Sequence, residues 1–201
     1  MVSHIAGGAF GVLALVLCLV RAVQNESLWG VVSSSVYGVS IIALYTMSSL
    51  YHGLRPGTAK KVLQVLDHCT IYLLIAGTYT PVLLCSMRPV FPGWAWTLFG
   101  VVWGCAAMAV VFTAIDLKKY AILSMVCYLA MGWCVVLAIK PALTSVPHAA
   151  LLWILLGGVV YTVGAVLYGL GKRRKWMHSV FHVCCLLGTV LHFWGIYQYI
   201  L

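Results

Sequence analysis

Seven apolar runs, each about as long as a helix needs to cross hydrocarbon, decide what this chain can fold into. They fall at Ile5–Val23, Trp29–Tyr51, Val62–Cys85, Trp94–Ile115, Tyr120–Ile139, Ala149–Leu170 and His178–Ile200. At about 1.5 Å per residue, roughly 20 helical residues bridge a bilayer core of roughly 30 Å. The chain has 201 residues, of which 64% are hydrophobic and 7% charged. A soluble domain covers itself with about a quarter charged residues, and this chain has no means of doing so. Lipid is the solvent that accommodates such a surface. The sequence therefore predicts an all-α membrane protein, with residues 1–201 forming a single seven-helix transmembrane domain and no space left for a soluble module. The first run has no basic leader and no small-residue cleavage site, so it reads as a helix and not as a signal peptide.

Turn chemistry and charge separate the runs: Gln24 to Ser27, Arg55-Pro56-Gly57, Arg88-Pro89 with Pro92-Gly93, Asp116 with Lys118 and Lys119, Lys140-Pro141, and Gly171 to Lys175. Lys and Arg are distributed unevenly among these breaks. Arg55, Lys60, Lys61, Lys118, Lys119, Lys172, Arg173, Arg174 and Lys175 fall in the even connections, against Arg21, Arg88 and Lys140 in the odd ones. With the basic side inward, the N-terminus is expected in the cytoplasm and the C-terminus outside. That bias, with anionic lipid headgroups, accounts for a net charge of +9 without nucleic acid as a partner. A cell-membrane, multi-pass location follows. Trp29, Trp94, Trp96 and Trp176 suit the interfacial belts, and Gly7-xxx-Gly11 and Gly100-xxx-Gly104 suit close helix packing. The eight cysteines lie inside apolar runs, form no CxxC pair, and read as small buried hydrophobes.

Ionisable side chains inside apolar spans are costly and therefore informative. His52 closes the second span, Asp67 stands near the start of the third, and His178 and His182 open the seventh. The alternation of spans puts all four at one depth. His178 and His182, four apart, project from one helical face with Cβ atoms about 5–6 Å apart, a spacing by which two imidazoles share a metal. His52 from a neighbouring helix supplies a third nitrogen, giving a Zn2+ site with one position open to water. Asp67 is expected to orient that water and take its proton, or to hold a ligand histidine in its tautomer, with Ser48 one turn before His52 bonding within the same site. His68 is turned about 100° from Asp67 and His192 lies about 15 Å along the axis from His182, so neither joins them. His4, at the same end of the first span, is a candidate hydrogen-bonding neighbour. His148 reads as a solvated loop residue and Asp116 as a loop-end charge.

These residues resemble the hemolysin III family, within the progestin and adiponectin receptor group and the wider alkaline ceramidase superfamily. The resemblance rests on Ser48-Ser-Leu-Tyr-His52, on Asp67-His-Cys-Thr-Ile-Tyr-Leu-Leu-Ile-Ala-Gly-Thr-Tyr-Thr-Pro81, on Tyr128-Leu-Ala-Met-Gly-Trp133 and on His178-Ser-Val-Phe-His182, and it covers nearly the whole chain. It implies seven helices with the N-terminus inside, His52, His178 and His182 as zinc ligands, Asp67 as the acidic partner of a zinc-bound water, and Ser48 as the family serine. A Glu and an Asn that the family carries shortly before the histidine matched by His4 would precede Met1.

Three functions fit this reading. The favoured one is a zinc-dependent membrane hydrolase of a lipid amide or ester, working at the cytoplasmic side with membrane lipids as partners and a lipid as substrate. The second is a non-enzymatic, receptor-like or homeostatic protein whose zinc braces helices, which requires four protein ligands. The third is a pore or transporter, for which broken helices near the midplane and internal symmetry would speak; the sequence predicts neither.

Overall fold

The computed structural model describes residues 2–171 and 176–201. It is all-helical. α1 (Val2–Gln24) and α2 (Leu28–Gly53) form an antiparallel hairpin, closed by Glu26 in the left-handed region at φ 50°. The Ser27 hydroxyl caps α2 by accepting from the Gly30 N–H at 2.9 Å. α3 (Thr58–Pro81) runs into a π-helical stretch, Val82–Met87; α4 is Pro92–Ile115 and α5 is Ala121–Gly132. A 3-10 stretch, Cys134–Ala138, leads to α6 (Ile139–Ser145), then α7 (His148–Leu170) and α8 (Met177–Tyr199). Among the described residues, seven helical segments are long and apolar enough to cross a membrane: α1, α2, α3 with its π stretch, α4, α5 through α6 as one, α7 and α8. Lys172, Arg173, Arg174 and Lys175, on which part of the orientation count rests, lie outside the described residues.

The glycine spacing in α1 builds a close helix contact. Gly7 lies against the Tyr45 ring, and Gly11 against Ile41 and Ile42, so α1 approaches α2 to a distance that any side chain there would prevent. Gly38 repeats the device from α2, against Leu15. Gly100 and Gly104 do not: among the described residues no atom within 4 Å would meet a Cβ at either, so this second spacing, expected to pack helices, serves no contact among them. Cys105, one residue on, is likewise exposed, unlike the buried Cys18 and Cys69, and departs from the expectation that all the thiols are buried.

The fifth span corrects two expectations. The chain does not break at Lys140-Pro141; Pro141 is the third residue of α6, in a first turn where its missing N–H costs no intrahelical bond. The break comes earlier, at Trp133 and the 3-10 turn after it, so spans without a midplane interruption are not what is found. Tyr79 of α3 repairs it. Its hydroxyl donates to the Gly132 carbonyl at 2.9 Å and accepts from the Val135 N–H at 3.1 Å, while the Trp133 indole donates to the Thr162 hydroxyl of α7 at 3.0 Å. Backbone groups freed by the break are thus occupied by protein, as the hydrocarbon interior demands. The π stretch after Pro81 has a different origin, a proline that cannot continue the α ladder; the Arg88 N–H donates five residues back, to the Leu83 carbonyl, at 2.8 Å.

Candidate metal centre

Four helix termini meet at one end of the bundle: the start of α1 with His4, the last turn of α2 with His52, the end of α7 with Tyr168, and the start of α8 with His178 and His182. The i,i+4 pair on α8 projects as its spacing requires, with ring centroids 4.2 Å apart. The Nε2 atoms of His182 and His178 are 2.7 Å apart, and those of His178 and His52 are 3.3 Å apart. One nitrogen from each of the three histidines lies within 4.8 Å of the other two. His182 is buried, His52 half-buried and His178 exposed, so the cluster opens toward the bundle end on the His178 side.

This donor set suits a cation. Three imidazoles that turn Nε2 toward one point bring three lone pairs together, and hydrogen bonds alone need a proton between each pair. Two nitrogens bound at about 2.0–2.1 Å to one tetrahedral zinc stand about 3.3 Å apart, which the His178–His52 pair matches and the His182–His178 pair undercuts. No carboxylate belongs to the set. Asp67, half-buried on α3, lies beside the Ser48 hydroxyl of α2, so the expected serine and acid are adjacent, one helical turn below His52.

The other histidines sort themselves. The His68 ring comes within 3.9 Å of the Asp67 carboxylate, but its Nδ1–H donates to the Gln64 carbonyl at 2.8 Å, outside the triad. His192 donates through Nε2 to the Ile154 carbonyl at 2.9 Å and packs on Gly157, a structural contact between α8 and α7. His148 is exposed at the start of α7. Asp116 accepts from the Lys118 and Lys119 N–H groups at 3.0 Å each, which makes it a turn former. His4 is buried at 3% exposure, with its Nε2 against Nδ1 of His182.

A group the sequence reading passed over lies directly beneath. Thr189 donates to the Cys185 carbonyl at 2.9 Å, so its oxygen is left to accept from the Tyr45 hydroxyl at 2.8 Å and the Tyr161 hydroxyl at 2.6 Å. The Tyr45 ring in turn supports His4, with centroids 5.4 Å apart. The signal was available: Tyr45 precedes His52, and Thr189 follows His182, by two helical turns, which puts each on the face of its ligand.

Comparison with known proteins places the chain among others of this kind. The family model described as Haemolysin-III related matches residues 1–193. Hemolysin-3 of Bacillus cereus is 33% identical over 200 residues, covering 100% of this chain and 90% of that protein. A hemolysin-3 homolog of Bacillus subtilis is 34% identical over 198 residues, covering 98% and 91%. The human monocyte to macrophage differentiation factor is 25% identical over 187 residues, covering 88% and 74%.

Proposed function

The chain belongs to the haemolysin-III related family and is a multi-pass cell membrane protein, and on that premise we propose that it is a zinc-dependent membrane hydrolase of a lipid amide or ester. The observation that carries the reading is the three-histidine set, with nitrogens from two helices directed to one point and one side left open. His52, His178 and His182 would hold the cation. When bound, zinc polarises a carbonyl and brings the pKa of a coordinated water near neutrality. The remaining chemistry falls to protein groups. Asp67 accepts the proton of the attacking water, and the Ser48 hydroxyl beside it keeps the carboxylate turned toward the site. The position at one end of the spans lets a lipid headgroup enter from the interface while its acyl chain stays in hydrocarbon. We place this end at the cytoplasmic face, because Arg55, Lys60 and Lys61 follow His52 and the alternation of spans brings Lys118 and Lys119 to the same side.

A bracing zinc would need a fourth protein ligand. The fourth imidazole nearby, His4, points at the back of the His182 ring, and this favours chemistry over bracing. The test is direct. Purified protein contains about one zinc per chain; His182→Ala loses metal and turnover together, and Asp67→Asn keeps the metal and loses turnover. Metal retained with no hydrolysis across a panel of lipid amides and esters would overturn the reading.

A further inference from the structure

His182 offers Nε2 to the cluster and Nδ1 to His4, and the two facts together assign protons. A ring nitrogen that binds a cation carries no hydrogen, so the hydrogen of His182 must sit on Nδ1. There it meets Nε2 of His4, which can accept only if His4 keeps its own hydrogen on Nδ1. That atom is buried and, among the described residues, has no hydrogen-bond partner. The chain of tautomers puts the hydrogen of His4 on this enclosed atom. His4 would otherwise be better replaced by an apolar ring, since an orphaned donor in the interior destabilises the fold.

We propose that His4 is a positioning residue, which holds Nδ1 of His182 and thereby fixes the tautomer and ring plane with which His182 presents Nε2 to the cation. The proposal rests on the zinc reading above. Its structural support comes from α1. Gly7, one turn after His4, lets the helix settle on Tyr45, and the Tyr45 ring holds the far side of the His4 ring. His4 is not a fourth ligand in this arrangement. Its Nε2 is engaged by the nitrogen of His182 that points away from the other two rings, and its Nδ1 is enclosed by protein.

The experiment uses the full chain in lipid nanodiscs with Zn2+ alone as ligand, its affinity read by competition with a chelator. His4→Phe keeps the shape and removes the acceptor; zinc affinity falls about 10–100-fold, as for other groups that orient a metal ligand. His4→Gln, whose amide reaches the position of Nε2, stays within about threefold of the native chain. The metal-free His4→Phe protein unfolds no earlier than the native one, which separates positioning from simple packing. In the zinc-loaded native protein, 15N NMR shows His4 protonated on Nδ1, a readout that needs no variant. Unchanged affinity in His4→Phe, a glutamine variant as weak as the phenylalanine one, or a His4 proton on Nε2 overturns the proposal while the hydrolase reading stands. A native chain that binds no zinc overturns both. With Co2+ in place of Zn2+, loss of visible-band intensity in His4→Phe and not in His182→Ala would make His4 the ligand and end the proposal.

Discussion

The two sides of this bundle are built on opposite rules. α2 buries Ser33, Ser34, Tyr37, Ser40, Tyr45 and Ser48 along with Gly30, Gly38, Ile41 and Leu44; α1 and α3 pack along it, and α8 reaches it through Thr189 and His178. α5 and α7 bury almost nothing: Ser124 and Met131 on the first, Ala150, Gly157 and Gly164 on the second. Their leucines, valines and isoleucines face outward, as at Ile122, Leu155 and Val163. The three least apolar spans, α2, α3 with its π stretch, and α8, are also the three most buried. In water the most hydrophobic helix goes to the centre; in lipid the solvent is already apolar, so packing and polar contacts select the interior. The candidate metal site sits where polarity was concentrated, at the end of the wall that α2 organises.

The largest test of this contrast is chemical. His52→Ala removes a nitrogen from the polar wall, and bound zinc should fall from about one per chain to background by elemental analysis. Cys105, Cys127 and Cys134 line one groove on the lipid-facing side, between α4 and α5. Replacing all three with alanine should leave the zinc content untouched. If the thiols and not the imidazole controlled it, the cation would belong to the other wall.

Next in size is packing. Gly7→Leu puts a side chain into the Tyr45 ring and should lower stability in detergent by about 1–3 kcal/mol, with a fall in zinc affinity as α1 and His4 move away. Smaller again is Thr189→Val, which leaves the Tyr45 and Tyr161 hydroxyls without their shared acceptor. Two orphaned hydroxyls suggest a cost of about 1–2 kcal/mol, tempered by the modest value of polar contacts measured within membranes. A thermal shift as small as that of Thr144→Val, on the exposed face of α6, would show that the hydroxyl cluster contributes nothing.

Much of this was legible beforehand, and the misses have a common cause. Span number, the shared depth of His52, His178 and His182, and their convergence follow from hydropathy and helical spacing, both local properties of the sequence. What was not legible depends on a second helix. Lys140-Pro141 reads as a break because charge and proline punctuate most chains, but the real interruption is at Trp133, where Tyr79 from α3 occupies the freed backbone groups. Gly7-xxx-Gly11 and Gly100-xxx-Gly104 are identical as patterns, and only the first has a partner. Asp67 is expected at the depth of the histidines, yet the side chain beside it is Ser48, and the carboxylate is not part of the clustered ligand set.

The unpartnered glycine pair makes the smallest prediction and the sharpest control. Gly100 and Gly104 lie on the lipid-facing side of α4, with open space where a Cβ would stand. Alanine there meets no neighbour, so the only term left is helix propensity, which favours alanine over glycine by about 0.8–1 kcal/mol per site in water. Lipid weakens that preference, because a membrane helix cannot exchange its backbone bonds for water. Gly104→Ala should therefore raise the unfolding midpoint slightly or leave it unchanged, while Gly11→Ala, the matched position in α1, lowers it against Ile41 and Ile42. A clear loss of stability at Gly104 would mean that this face is covered by something other than lipid in the membrane, and α4 would then belong with the packed wall.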